Sequence, residues 1–245
     1  MYVRTFMAIL CSLCFSVMAE EIFLRDHLMQ AKPGDFIVSA QNRNYTVLMI
    51  MDKTKDSLVI QEVTVPEKRF PKGMVETWRE WITQGAPGHT SWVGYEIAPY
   101  SGEIREFYSY SKQAWCQISD GENILGTLLN LRMHRIEDRY RRRVGRTPPN
   151  RIDHRPFWQP PLIVEGKEIL GVPFDAWRSR WPKDGSDLSG KTIEVYLPSK
   201  KSGYPSYFPY WLQVSGFIGK ARIRIVDSGH NLKSPQPLLP RRPGA

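Results

Sequence analysis

Three short apolar runs between Asp35 and Val65, separated by polar turns, constrain this chain more than any other feature. In residues 35–40, Phe36, Val38 and Ala40 alternate with Ile37 and Ser39. Residues 45–51 are continuously apolar, as in a strand covered on both faces. Residues 57–65 supply the third run. The links, Asn42-Arg43-Asn44 and the polar stretch 52–56, are too short to join anything but antiparallel neighbours. Similar hairpin patterns recur at 91–98 with 103–110 and at 162–164 with 168–170, the second about Gly166. Residues 191–197, 207–214 and 221–226 complete the expected strands. In the last, Ala221, Ile223 and Ile225 face one way, and Lys220, Arg222 and Arg224 the other.

Helical spacing appears in three places. Ile22, Phe23, Leu24, Leu28 and Met29 predict a helix over 21–31, ended by Lys32-Pro33-Gly34. Val75, Trp78, Trp81 and Ile82 predict another over 75–84. The longest is expected over 122–144, where Leu125, Leu129, Ile136 and Tyr140 share a face and Glu137/Arg141 and Asp138/Arg142 lie four apart. Five prolines between Arg146 and Pro161 predict an extended connection and a possible internal boundary. The expected fold is mainly β with some α. It is a curved antiparallel sheet or half-barrel of about ten strands, with two or three helices on its concave side.

The first nineteen residues read differently. Arg4 is their only charge, an apolar or small run follows to Val17, and Val17-Met18-Ala19 puts small residues before Glu20. That is the plan of a secretory signal peptide cleaved after Ala19, with an apolar stretch shorter than the roughly 17–25 residues a membrane span needs. A lipoprotein signal is the alternative, because Cys11 and Cys14 lie in the segment; Leu10 and Leu13 before them are large where a small residue is expected. The expected layout is signal 1–19, a single β-rich domain over 20–230, and a loose Pro-rich tail over 231–245. Export would place the protein in the periplasm or envelope. Cleavage would leave Cys116 as the lone cysteine, so stability would come from core packing rather than a disulfide. With 41% hydrophobic and 24% charged residues, the chain is not a disordered one.

Catalytic chemistry is hard to find. Cys116 could act as a nucleophile with His89 or His134 as base, but Ala114-Trp115-Cys116-Gln117 is no activating motif, and a small, partly buried hydrophobe near a strand end explains it better. No histidine lies within five residues of another or of a cysteine, so neither a metal nor another cofactor is expected. Charge is more pointed. Arg132, Arg135, Arg139, Arg141, Arg142, Arg143, Arg146, Arg151 and Arg155 face only Glu137, Asp138 and Asp153 in the same stretch. Because guanidinium forks match carboxylate and phosphate, Arg132 to Arg146 are candidates for binding an anion or an acidic partner. A solvated helix face is the bland alternative. Aromatic residues are the other theme: Trp92, Tyr95, Phe208, Tyr210 and Trp211 are candidates for an apolar ligand site, against ordinary core packing.

The segment from Leu188 through Gly190 and Val195 to Pro198, followed by Phe208-Pro209-Tyr210-Trp211-Leu212-Gln213-Val214, resembles the closing strands of the curved-sheet carriers of bacterial lipoprotein localisation, the LolA/LolB/LppX-like group. The resemblance implies a non-enzymatic cavity that holds acyl chains. The Pro-rich connection and the Arg run depart from that pattern. Three functions follow as expectations. The first is an exported carrier of a lipid or lipoprotein acyl chain, with an Arg-rich rim and peripheral membrane contact. The second is an envelope adaptor for an acidic protein, and the third a hydrolase using Cys116 or a histidine. Nucleic acid is not an expected partner of an exported protein.

Overall fold

The computed structural model describes residues 20–71, 73, 76–116, 124–148, 153–216 and 219–239. The signal-like segment 1–19, Arg151 and residues 240–245 lie outside the described residues. In chain order the elements are β1 (Glu21–Ile22), α1 (Leu24–Leu28), β2 (Phe36–Gln41), β3 (Asn44–Lys53), β4 (Leu58–Pro66), α2 (Trp78–Thr83), β5 (Ser91–Ala98), β6 (Glu103–Ser109), β7 (Ala114–Trp115), α3 (Ile124–Asn130), β8 (Met133–Arg135), β9 (Leu162–Val164), β10 (Lys167–Ile169), β11 (Phe174–Arg180), β12 (Thr192–Pro198), β13 (Trp211–Gly216) and β14 (Gly219–Gly229).

Twelve of these strands form one antiparallel sheet in the order β1-β8-β11-β12-β13-β14-β2-β3-β4-β5-β6-β7. Two meanders meet in the middle, where β14 pairs with β2, and the edges stay apart, so no barrel closes. Bulges at Ile50/Asp52, Glu96/Ile97 and Ile225/Asp227 bend the strands. The mainly β architecture with three helices therefore follows the sequence pattern. The β9–β10 hairpin stands outside the sheet and is tied to β14, with Ser228 Oγ donating to Ile163 O at 2.8 Å.

Register assigns each face of the first meander. Val38, Val47, Val63 and Trp92 pair in a row across four strands and are fully buried. α2 covers them with Trp81 and Ile82, both 0% exposed. Thr77 caps that helix by accepting the Glu80 N–H at 3.1 Å. On the opposite face Ile50, Ile60 and Tyr95 pair in a second row and pack in one core with Leu24 and Leu28 of α1 and Leu129 of α3.

Three expectations are corrected. The 122–144 helix ends at Asn130. Leu131 and Met133, two apart, are buried as in a strand, and β8 pairs with β11 and β1. Backbone groups there are satisfied across the sheet, Ile136 N–H donating to Ala176 O at 2.8 Å, so edge pairing outweighs the helical spacing. Tyr140 is 60% exposed instead of facing a core. The 21–31 helix is shortened for the same reason, since Glu21–Ile22 is taken as a strand by β8. Strand β11, absent from the expected strands, is a full member of the sheet. The stretch after Gly229, expected to hang loose, runs along the α2 side as far as Leu239. Leu232 is buried there, and Gln61 and Tyr110 both donate to Pro237 O. No helix among the described residues is long and apolar enough to cross a membrane.

Candidate anion-binding face

The Arg run folds into a strap across the second meander. Val144 N–H donates to Pro156 O at 2.9 Å and Trp158 N–H to Arg142 O at 2.8 Å, pairing residues 142–144 antiparallel with 156–158. Its side chains press on the face of the sheet that presents Glu194, Tyr196, Trp211 and Gln213. Arg142 donates to Glu194 at 3.1 Å and to Gln213 Oε1 at 2.9 Å, and Trp158 packs edge-on against both Tyr196 and Trp211. Arg141 and Arg143 lie over the Phe157 ring at 4.3 and 4.4 Å. Arg141 also donates to Phe174 O, and Arg143 to Arg155 O.

Most of the predicted cations are therefore already paired. Arg132 meets Glu21, Arg135 meets Glu20 and Asp175, Arg139 meets Glu137, Arg141 meets Asp138, Arg142 meets Glu194 and Arg143 meets Asp153. Arg146 is exposed and has no ion pair among the described residues. Hydrogen bonds from Arg155, reinforced by the Arg143 charge, hold the Asp153 carboxyl down at about 2. Burial beside Glu194 pushes the Tyr196 hydroxyl up to about 12. A half-buried guanidinium is stable only when its charge is matched, and here the chain supplies the match itself.

The five predicted aromatics do not form one site. Trp92 is buried beneath α2, its indole N–H donating to Gln61 at 3.2 Å. Tyr95 and Phe208 line an apolar cavity of about 40 Å³ on the α1/α3 side, together with Leu28, Ile37 and Leu129. Tyr210 is buried and bonds Ser228 Oγ at 2.9 Å; burial raises its hydroxyl to about 12. Cys116 follows β7 at one edge of the sheet, while His134 sits on β8 near the other and pairs with Glu21. His89 bonds Ala86 O and packs on Trp92. No hydrogen bond joins Cys116 to either histidine among the described residues.

A different set of cations is left open, and the sequence did not single it out as a site. Register places Trp211, Arg224, Ala40 and Tyr45 in one row across β13, β14, β2 and β3. Ala40 is the small member, so a groove of about 430 Å³ lies over it between Trp211 and Tyr45. Arg43 enters from the β2–β3 turn, and Arg222 and Arg224 from β14. All three are exposed, and none has an ion pair among the described residues, although Glu67 also lines the groove. Arg222 is steered by Gln213 Oε1 at 3.2 Å and lies 5.7 Å from the Trp211 ring. Beyond the turn the same surface continues past Lys68 and Arg69 into a broader groove. The alternation of Lys220, Arg222 and Arg224 was the one legible signal, and their meeting with Arg43 required the β14–β2 pairing.

No curated protein matches the chain. Among solved structures it is similar to the hypothetical protein CT021 from Chlamydia trachomatis, determined at 2.0 Å resolution. The TM-score is 0.63 at 20% sequence identity, over 91% of this chain and 99% of that one, a likeness of fold. The model of the CT021 protein family matches residues 46–170, which hold α2, its sheet face and the Arg strap. That stretch is just over half of the sequence, and the chain belongs to the CT021 protein family.

Proposed function

We propose that this chain is a non-enzymatic binding protein that holds an anionic partner in the groove over Ala40. One observation carries the reading. Arg141, Arg142 and Arg143 of the strap each meet a carboxylate, whereas Arg43, Arg222 and Arg224, from distant parts of the sequence, converge on a groove lined by one carboxylate, Glu67, and none of the three has an ion pair among the described residues. Like charges brought together in a recess repel one another and concentrate positive potential, which an incoming anion relieves. The signal-like plan of residues 1–19 supports an exported, envelope setting for this binding.

An acyl-chain carrier of the LolA/LolB type would instead use the cavity beside Tyr95 and Phe208. At about 40 Å³ it has room for little more than a water. Lipid retained stoichiometrically in native mass spectrometry would favour the carrier. The anion reading is tested on immobilised heparin, used as a general polyanion. The wild-type chain is expected to be retained and released by salt, and the Arg222→Glu/Arg224→Glu double variant to elute at clearly lower salt. Co-elution of the two overturns the reading.

A further inference from the structure

The two residues of the β2–β3 turn are Asn42 and Arg43, and both have left-handed backbones, with φ of 49° and 61°. Gln41 pairs with Asn44, so this is a two-residue hairpin turn of the kind that needs positive φ at both central positions. Asn followed by Gly is the favoured pair there. Asn tolerates the left-handed region, but a long side chain such as Arg is strained in it by about 1 kcal/mol. The strained residue is also the one that brings a cation into the groove from the turn side.

The rings beside it are already occupied. Trp211 is covered by Trp158, Arg142 and Arg222, and Tyr45 packs against Phe70 and Trp78. The site therefore offers guanidinium forks but no free aromatic platform on which a nucleobase could stack. Its three exposed cations rim a groove that lies between Trp211 and Tyr45, which suits a narrow chain better than a flat lipid surface. The charged strip runs on from Arg224 through Arg43, past the Glu67 carboxylate, to Lys68 and Arg69, longer than one small anion would use.

From this geometry we infer that the groove receives an extended acidic segment of a protein partner, and that Arg43 is kept in a strained turn because it grips that segment. The inference rests on the anion-binding reading above. Carboxylates of the segment would take Arg43 on one wall and Arg222 and Arg224 on the other.

The test measures a fluorescent oligoglutamate by anisotropy, with a single-stranded oligonucleotide of equal charge and phosphatidylglycerol vesicles as comparators. Wild-type protein is expected to bind the oligoglutamate saturably and more tightly than either comparator. Arg43→Gly is expected to weaken that binding about five-fold, the upper range for one exposed ion pair. The same change should raise the melting temperature by about 2 °C, since it removes the turn strain. Arg43→Lys keeps both charge and strain, and should stay within about two-fold of wild type in binding with no gain in melting temperature. Arg43→Gly that binds as wild type, or that melts lower, overturns the role of Arg43. If Arg222→Glu/Arg224→Glu still abolishes binding in that case, the anion groove itself stands. Preference for the oligonucleotide or the vesicles overturns the acidic-protein assignment. Failure to bind oligoglutamate, the oligonucleotide, vesicles and heparin alike removes the underlying reading as well.

Discussion

One face of the sheet is covered twice, by opposite chemistry. Over the first meander α2 lays down hydrocarbon: Tyr45, Phe70, Trp78 and Trp81 form a cluster of tilted and edge-to-face rings above Val47 and Val63. Over the second meander the strap lays down guanidinium groups on aromatic rings, with Glu194 and Gln213 beneath them. The first cover is non-directional and draws its stability from area removed from water. The second depends on each charge meeting its partner, so it is stable only as a set. Between the two covers lies the groove over Ala40 for which anion binding is proposed.

The largest expected effect breaks the first cover. Trp81 is fully buried and its indole N–H donates to Pro87 O at 3.0 Å, so Trp81→Ala is expected to cost about 3–5 kcal/mol in urea unfolding. A loss under about 1 kcal/mol would mean that α2 is not the lid of a packed core. The second cover is broken by Glu194→Gln, which strands Arg142 and Arg178, and the expected loss is about 2 kcal/mol. Here the comparison sharpens. Arg142→Met/Glu194→Gln removes the half-buried cation as well and should recover part of that loss, as no second substitution beneath α2 would. A double variant no more stable than Glu194→Gln alone would refute a cover held by charge matching.

The smallest effect is a pH dependence on the other face of the sheet. His27 is buried in α1, and loss of solvent lowers its pKa below 6.5, against the hydrogen bond to Ser206. The unfolded chain therefore takes up the proton first. The contribution of His27 is fully present above about pH 6.5 and is lost as pH falls through its lower folded value. Asp153 in the strap behaves alike but much further into acid, because its carboxyl stays charged down to about 2. Mild acid should thus loosen the α1 side before the strap. Unfolding midpoints should decline below about pH 6.5 in wild type and flatten in His27→Asn. Identical slopes for the two proteins would exclude His27 as the group responsible.

Strands with clear period-two patterns were legible. Phe36/Val38 against Ile37/Ser39 predicted both the strand and its two faces, because a strand's own alternation is a local property. The 131–136 region was not, because Leu125, Leu129 and Ile136 fit helical spacing while Leu131 and Met133 fit a strand, and only the open edge of β11 decided between them. For the site, the sequence located charge without showing whether it was spent. Arg141 to Arg143 look like an anion-binding cluster until Glu194, more than fifty residues away, is folded beneath them.

The sequence by itself determined that this is an antiparallel β protein with a short signal-like segment, a lone later cysteine and two basic stretches. The tertiary structure decided which basic stretch is open. Periodicity states which side of a strand is apolar, but it does not name the strand's neighbour. The pairing of β14 with β2 joins residues near 224 to residues near 40 and sets Arg224 beside Ala40, with Arg43 at the turn beyond. Long-range pairing of this kind is a global balance of burial against chain entropy, which no local run of residues expresses.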